Sequence, residues 1–481
     1  MHVYPEPKKA AFTGGEWTFP GTVTLTVPAQ YADKRRLALF AEMYRNFTGG
    51  VGRLKIAVSP AAVSSAVLAL SAAEPERRDP GPDEYELHVR DGRADLYFSD
   101  GRAFAHAFCT LLKLLEVRAT KGGGRMTLPL GIVEDAPALA FRALHLCVFP
   151  ESPYGRMRRL VRLAGLLGYS HIVLEFWGMF PYRTERAFGR RAAYTRRQIR
   201  RIAADAAALG AEIVPMLNIY GHASQNRVGR GKHTVLDRHP QLAPYFETNG
   251  WNWNLANPDT MPLQKRLIGE LLDVCGAGGY FCIGCDEAYD YAGDRIYAGR
   301  DATQILIDHI NGIAAFLKAR GRTPIMWADM LLCGDRFAGS VQCGADPETC
   351  ERLLNGLNKN IILADWQYWT KDGALPTARF LAGHGFRIVT APWEDRETAV
   401  ICLKNVEEHG YFGFMQTTWQ ALFRNIELLP QGAVYAWDGS ERAASLPLDC
   451  CMTIAAARYL RGVMRVRRYK EEGISDGEVD F

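Results

Sequence analysis

From about residue 140 onward, short apolar runs alternate with longer segments whose apolar residues recur at three- and four-residue spacing. Runs at 141–149, 169–177, 211–218, 280–284, 324–328, 361–366, 386–391 and 412–419 have the length and bounding turn signals of buried strands. Between them, 154–167, 195–209, 260–276, 301–320, 347–357, 374–384 and 397–409 carry the one-sided pattern of amphipathic helices. Strands separated by helices must pair in parallel, and eight such units are what a (β/α)₈ barrel requires. A doubly wound open sheet is the rival. Such sheets usually have fewer strands and often a glycine-rich first turn, and no GxGxxG follows any of these strands.

The first 135 residues have a different rhythm. Strands are expected at 22–27, 54–58, 85–89 and 94–99, the last two joined across Asp91-Gly92, with helices at 34–47 and 102–117. KGGGR at 121–125 reads as a loop. The expected plan is therefore α/β: a small accessory domain at 1–135, a barrel at 136–445, and a C-terminal helix and tail at 446–481, the helix completing the barrel wall.

Composition changes this picture little. A hydrophobic fraction of 48% and a charged fraction of 23% are ordinary for a globular chain of 481 residues, and a formal charge of +4 gives no reason to expect nucleic acid or membrane as a partner. No run of eighteen apolar residues occurs, and the opening MHVYPEPKKAAFTGGEW lacks the apolar core of a secretory signal. The 11 cysteines are scattered, often within apolar runs, which suits reduced buried thiols and a cytoplasmic protein. Cys282-Ile-Gly-Cys285 reads the same way, because structural zinc needs further ligands at suitable spacing and Cys450-Cys451 is not such a pair, while a redox C-x-x-C normally opens a helix and this one ends a strand.

Candidate chemistry follows from the barrel, whose reactive groups belong beyond the C-terminal ends of the strands. There lie Glu175 and Trp177, Asn218 and His222, Asp286 and Glu287, Trp327 and Asp329, Trp366 and Tyr368, Trp393 with Glu394 and Asp395, and Trp419 with Gln420. Single tryptophans usually pack cores, but several at one rim suit the CH-rich faces of a sugar ring. The adjacent acids in YFCIGCDEAYD are the sharpest local feature. Mutual repulsion should raise one carboxyl while the other stays ionised, although an acid pair can also cap a following helix. Glu175 and Asp395 could equally contact substrate or pair with arginines.

YFCIGCDEAYD resembles the H-x-G-G-D-E strand of glycoside hydrolase family 20, the β-N-acetylhexosaminidases. VEDAPALAFRALHL resembles the entry to that family's first barrel strand, IVPMLNIYGHAS its P-E-x-D-x-P-G-H strand (matching at Pro215, Gly221 and His222), and NLANPDT the segment before the acid pair. PIMWADM and Trp419 match pocket tryptophans, and SDGRAFAHAFCTLLKLL the helix closing the accessory domain. The resemblance implies a retaining, substrate-assisted hydrolysis of terminal β-linked N-acetylhexosamines, in which the substrate's own acetamido oxygen is the nucleophile. It assigns proton transfer to Glu287, orientation of the acetamido group to Asp286, sugar hydroxyls to Arg142, and the pocket to His222, Trp327, Trp366 and Trp419. No metal or cofactor is needed.

Departures from the family pattern are several. Cys282 and Cys285 stand for a histidine and a glycine, Met216 and Asn218 for acids of the third strand, and Cys147 for an aspartate. The family's acetamido-binding tyrosine is absent from APWED, leaving Trp393 or Tyr368 to replace it, and Trp419-Gln420 alters the usual Trp-Glu contact with the sugar. GlcNAc and GalNAc both remain open as substrates. A non-catalytic glycan-binding protein and a two-carboxylate retaining glycosidase, with Glu175 or Glu394 as nucleophile, are the alternatives.

Overall fold

Segments such as HIVLEF and ILAD offer no polar face to water, and both are buried along their whole length as strands of one closed barrel. The computed structural model describes residues 3–76, 78, 80–81, 84–120, 123–224, 234–288, 293–371, 373–419, 426–445 and 450–464. The first part of the chain forms β1 (Lys9–Pro20), β2 (Thr22–Pro28), α1 (Lys34–Phe47), β3 (Arg53–Ser59), β4 (Ser65–Ala69), β5 (Tyr85–Arg90), β6 (Arg93–Phe98), α2 (Gly101–Leu114), β7 (Glu116–Thr120) and β8 (Gly123–Asp135). The strands lie in the order β1-β8-β5-β6-β4-β2-β3, with β7 against β8, and only β2 and β3 pair in parallel. Asp100 caps α2 through the amides of Arg102 and Ala103. From Ala103 to Leu114 this helix is buried on every side, because it lies between the sheet and the barrel.

The barrel comprises β9 (Phe141–Val148), α3 (Tyr154–Leu167), β10 (His171–Phe176), α4 (Arg196–Ala208), β11 (Glu212–Met216), α5 (Thr234–Arg238), α6 (Thr260–Cys275), β12 (Tyr280–Gly284), α7 (Ala302–Lys318), β13 (Thr323–Trp327), α8 (Pro347–Gly356), β14 (Ile362–Asp365), α9 (Pro376–Gly383), β15 (Arg387–Thr390), α10 (Arg396–His409) and β16 (Gly413–Gln416). All eight strands pair in parallel and β16 closes onto β9. Alternate side chains, among them Ala143, Val173, Val214, Ile325, Ile362 and Met415, fill the interior, while the intervening residues pack outward on the helices. No helix among the described residues is long and apolar enough to cross a membrane.

The eight expected strands and seven expected helices are all present. Three readings need correction. β1, β4 and β7 were not expected, and residues 123–125 of the supposed loop belong to β8, where glycines and a proline hide the strand pattern. After β16 come α11 (Leu428–Asp438), α12 (Ser440–Ser445) and α13 (Cys450–Val463). It is α11 that packs on β9 and β16; α13 packs instead against α1 and α3, at the seam with the accessory domain, and so does not complete the barrel wall. There Arg159 and Arg162 donate to the Leu460 and Val463 carbonyls.

Candidate active site

The acid pair is held by an unusual backbone. β12 ends at Gly284 with φ +65°, Cys285 follows at +75°, and Glu287 lies at +50°. These left-handed conformations cost side-chain-bearing residues about 1–3 kcal/mol each and persist only where surroundings enforce them. The enforcing contacts are visible: the Glu287 amide donates to Asp329 Oδ2 (2.8 Å), and its carbonyl accepts from Trp251 Nε1 (2.7 Å). Close approach of β11's exit to the pair explains two glycines. A Cβ on Gly221 would lie 2.0 Å from the Asp286 carbonyl oxygen, and one on Gly284 would lie 1.7 Å from Asn218 Oδ1. Among the described residues only four non-glycines have positive φ: His222, Cys285, Glu287 and Trp419. All four follow strand ends at the same barrel mouth, where three had been expected from sequence.

The two acids occupy different environments. Asp286 is only 3% exposed, whereas the Glu287 side chain is about a third exposed. His222 Nε2 lies 3.2 Å from Asp286 Oδ2 and 3.4 Å from Glu287 Oε2. Asp286 Oδ1 is buried without a hydrogen-bond partner among the described residues. Burial pushes the Asp286 carboxyl up while His222 pulls it down; repulsion from Glu287 is a minor contribution, contrary to the sequence argument from adjacency. Burial also works to lower His222, but Asp286, Glu287 and Glu175 outweigh it and lift the imidazole to about 10. Asp329 is pushed up to about 7, by burial first and by Asp286 second.

An aromatic wall adjoins the acids. Trp419 packs on Trp327 and Trp366 with ring centroids 5.1 and 6.2 Å apart, Trp366 on Tyr368 at 5.2 Å, and Tyr368 on Trp393 at 5.6 Å. Trp419 Nε1 donates to the Tyr368 hydroxyl, and Trp366 Nε1 to Asp329 Oδ1 (3.0 Å). Trp177 and Trp251 pack on His222.

Three expectations for side chains need revision. Arg142 stands at the N-terminal end of β9, opposite the acids; its guanidinium donates to the Gly168 and Leu139 carbonyls and lies over Trp437, so it is a seam residue that cannot reach a sugar at the mouth. Asp395 caps α10 through the Thr398 amide and pairs with Lys371, which spends its charge. Trp327 is 0% exposed and supports Trp419 from beneath, having no open face for a ligand. Gln420 lies outside the described residues. Sequence reasoning missed Trp251 altogether, and it noted Asp329 and Glu175 without assigning them the contacts they make. Trp251 sits in a loop far from any strand end, so only the NGWNWN aromatic cluster could have pointed to it.

Residues 175–430, just over half the chain, match the model of the glycosyl hydrolase family 20 catalytic domain. The chain belongs to that family. Residues 1–136 match the family 20 domain 2. The fold is similar to that of the family 20 β-N-acetylhexosaminidase of Streptomyces coelicolor, at 15% identity over 98% of each chain with a TM-score of 0.64. It is similar also to the exo-β-N-acetylglucosaminidase of Vibrio harveyi, solved with N-acetylglucosamine (14% identity, 96% of this chain and 76% of that one, TM-score 0.66). A mutant β-hexosaminidase of Streptomyces plicatus, solved with the product GlcNAc, gives 16% identity over 96% of this chain and 95% of that one, with a TM-score of 0.64. No curated protein matches the sequence. At these identities the family 20 structures establish the fold, and they leave the residue roles to the chemistry of this site.

Proposed function

We propose that this family 20 protein is an exo-β-N-acetylhexosaminidase that releases terminal β-linked GlcNAc or GalNAc with retention, through an oxazolinium intermediate. The observation that carries this reading is the buried, unpartnered Asp286 Oδ1 beside an Oδ2 already paired with His222. A buried acceptor without a donor costs roughly 1–3 kcal/mol, and an acetamido N–H is the donor such a substrate brings. Asp286 then orients the acetamido group, whose carbonyl oxygen attacks the anomeric carbon, and stabilises the positive charge that develops there. Glu287, the more exposed acid, protonates the leaving oxygen and afterwards takes a proton from the attacking water. The Tyr368 hydroxyl, which accepts from Trp419 and so turns its own proton elsewhere, donates to the acetamido carbonyl; the buried, unpartnered Trp393 Nε1 is the other donor at this wall. Trp366 and Trp419 wall the sugar, and His222 keeps Asp286 ionised.

Glu175 is poorly suited to be an enzymatic nucleophile. It is buried, and Asn218, His145 and Cys147 occupy its oxygens. Glu394 is exposed at the rim. The test is hydrolysis of p-nitrophenyl β-GlcNAc, β-GalNAc, β-glucoside and β-galactoside by wild type, Asp286→Asn and Glu287→Gln. Only the acetamido sugars should be cleaved, with turnover reduced at least about 100-fold in either variant. Cleavage of the plain glycosides, or near-normal rates in either variant, would overturn the assignment.

A further inference from the structure

Below the acid pair, the barrel interior holds a cluster that the hydrolytic chemistry does not use. Strand periodicity puts His145 and Cys147 on the same inward face of β9, and the parallel register sets Cys147 beside Glu175 of β10. The three residues are 0%, 2% and 4% exposed. His145 Nε2 lies 3.3 Å from Glu175 Oε2, Cys147 Sγ lies 3.5 Å from the same oxygen, and all three donor atoms fall within 4.8 Å of one another. No other such group of metal-ligating side chains occurs among the described residues.

The nitrogen–oxygen and sulfur–oxygen separations match two edges of a coordination tetrahedron. With zinc bonds of ~2.0 Å to nitrogen and oxygen and ~2.3 Å to sulfur, the N···O edge is about 3.3 Å and the S···O edge about 3.5 Å. As a hydrogen bond, by contrast, the imidazole–carboxylate contact is longer than the ordinary 2.7–3.2 Å range. His145 Nδ1, on the side of the ring away from Glu175, is buried without a partner among the described residues, so it can carry the imidazole proton and leave Nε2 as a ligand lone pair. Asn218 Nδ2 holds the second Glu175 oxygen at 2.8 Å, which fixes the carboxylate's orientation.

We propose that His145 Nε2, Cys147 Sγ and a Glu175 carboxylate oxygen form a three-ligand site for a thiophilic divalent cation, zinc foremost. Mixed imidazole, thiolate and carboxylate donors suit zinc or cobalt and discriminate against magnesium and calcium, which take oxygen ligands. The fourth position is left to water. Asn218, which holds the carboxylate from the mouth side, is partly exposed. Binding replaces the Cys147 S–H bond by a sulfur–metal bond and releases one proton to the buffer. On the reading of function above, the bound cation also draws Glu175 away from His222 and slows hydrolysis.

Untagged full-length protein is stripped with a chelator, desalted and titrated with zinc chloride by calorimetry, in two buffers of different ionisation enthalpy, and with cobalt chloride by absorbance. One equivalent should bind with release of about one proton. Cobalt should give the visible bands of a tetrahedral centre and a thiolate-to-cobalt charge-transfer band in the near ultraviolet. Cys147→Ser should abolish that band and weaken zinc at least about 100-fold, beyond the ~10–100-fold that losing an outer hydrogen-bond partner costs. Glu287→Gln should bind as wild type does. Absence of the charge-transfer band in wild type overturns the proposal without any variant, as does binding that survives Cys147→Ser or is lost in Glu287→Gln. None of these readings needs a substrate, so they stand or fall apart from the hydrolytic assignment.

Discussion

His222 carries a prediction that can be worked from distances alone. At 3.2 Å from Asp286 Oδ2 and an effective dielectric constant of about 20, the pair attracts with about 5 kcal/mol, close to four pK units. The imidazole also faces Glu287, beside Asp286 on the exit of β12, and Glu175 on β10, while Trp177 and Trp251 pack on its ring. Burial opposes protonation, the carboxylates favour it, and the balance stands at about 10. His222 should therefore remain an imidazolium throughout the neutral range. NMR of protein labelled at histidine Cε1, with the resonance assigned by its loss in His222→Gln, should find it still protonated at pH 8.5. Asp286→Asn removes the strongest attraction on the imidazolium, and should bring its titration back down to the ordinary histidine value or below. A folded value above the unfolded one means that the stabilisation is complete below about pH 6.5 and is lost as pH rises through about 10. Across that window wild type should lose up to about 1.4 kcal/mol of stability per pH unit from this group, and His222→Gln should not. A wild-type resonance titrating at or below 7, or one unmoved in Asp286→Asn, refutes the reasoning.

Other substitutions separate support from chemistry. Tyr368→Phe leaves the Trp419 indole N–H without its acceptor and removes the proposed donor to the acetamido carbonyl; kcat should fall about 100-fold with an unchanged circular dichroism spectrum. Arg142→Met removes bonds from a buried cation to two carbonyls, worth roughly 1.5–3 kcal/mol each, and should lower the melting temperature while KM stays within two-fold or so of wild type. Gly284→Ala drives a methyl against Asn218 at a φ of +65°. It should abolish activity or soluble expression, and normal kinetics from this variant would contradict the close packing of β11 against β12.

The barrel was legible because its signal is periodic and local. Each strand is a short apolar run, each helix an amphipathic stretch, and buried parallel strands leave no polar face to confuse the two. The accessory sheet was less so, since β1 is largely exposed, β8 is interrupted by glycine and proline, and β4 is only five residues long. At the site, strand-end position located His222, Asp286, Glu287, Trp366, Tyr368 and Trp419 without distinguishing which way a side chain points. Arg142 and His145 are three residues apart on one strand, and so face opposite sides of it. The motif resemblance weighted the first, while the inward face belonged to the second. Asp395 failed for a related reason, because an acid just before a helix serves the helix amides first. Trp251 had no periodic signal at all, since loops place side chains by tertiary contact alone.

Four of the departures from the family pattern share a location, with a consequence for the acids above them. Cys147, Met216 and Cys282 all face the barrel interior beneath the mouth, and Asn218 follows directly above Met216. Two of the four positions carry acids in the family's third strand and a third carries an aspartate; here none of them is charged. Glu175 is the carboxylate that remains on this side of His222, bound through Asn218 and His145. With the floor reduced to one anion, the charge on His222 depends chiefly on Asp286, and the ionisation of Asp286 against its burial depends on His222. The two form a mutually dependent pair, in which neutralising either partner should discharge the other. A cation on His145, Cys147 and Glu175 would remove the remaining floor anion from that balance and leave the pair on its own. The same cysteine that breaks the family pattern at the end of β9 would then give the site its sensitivity to metal.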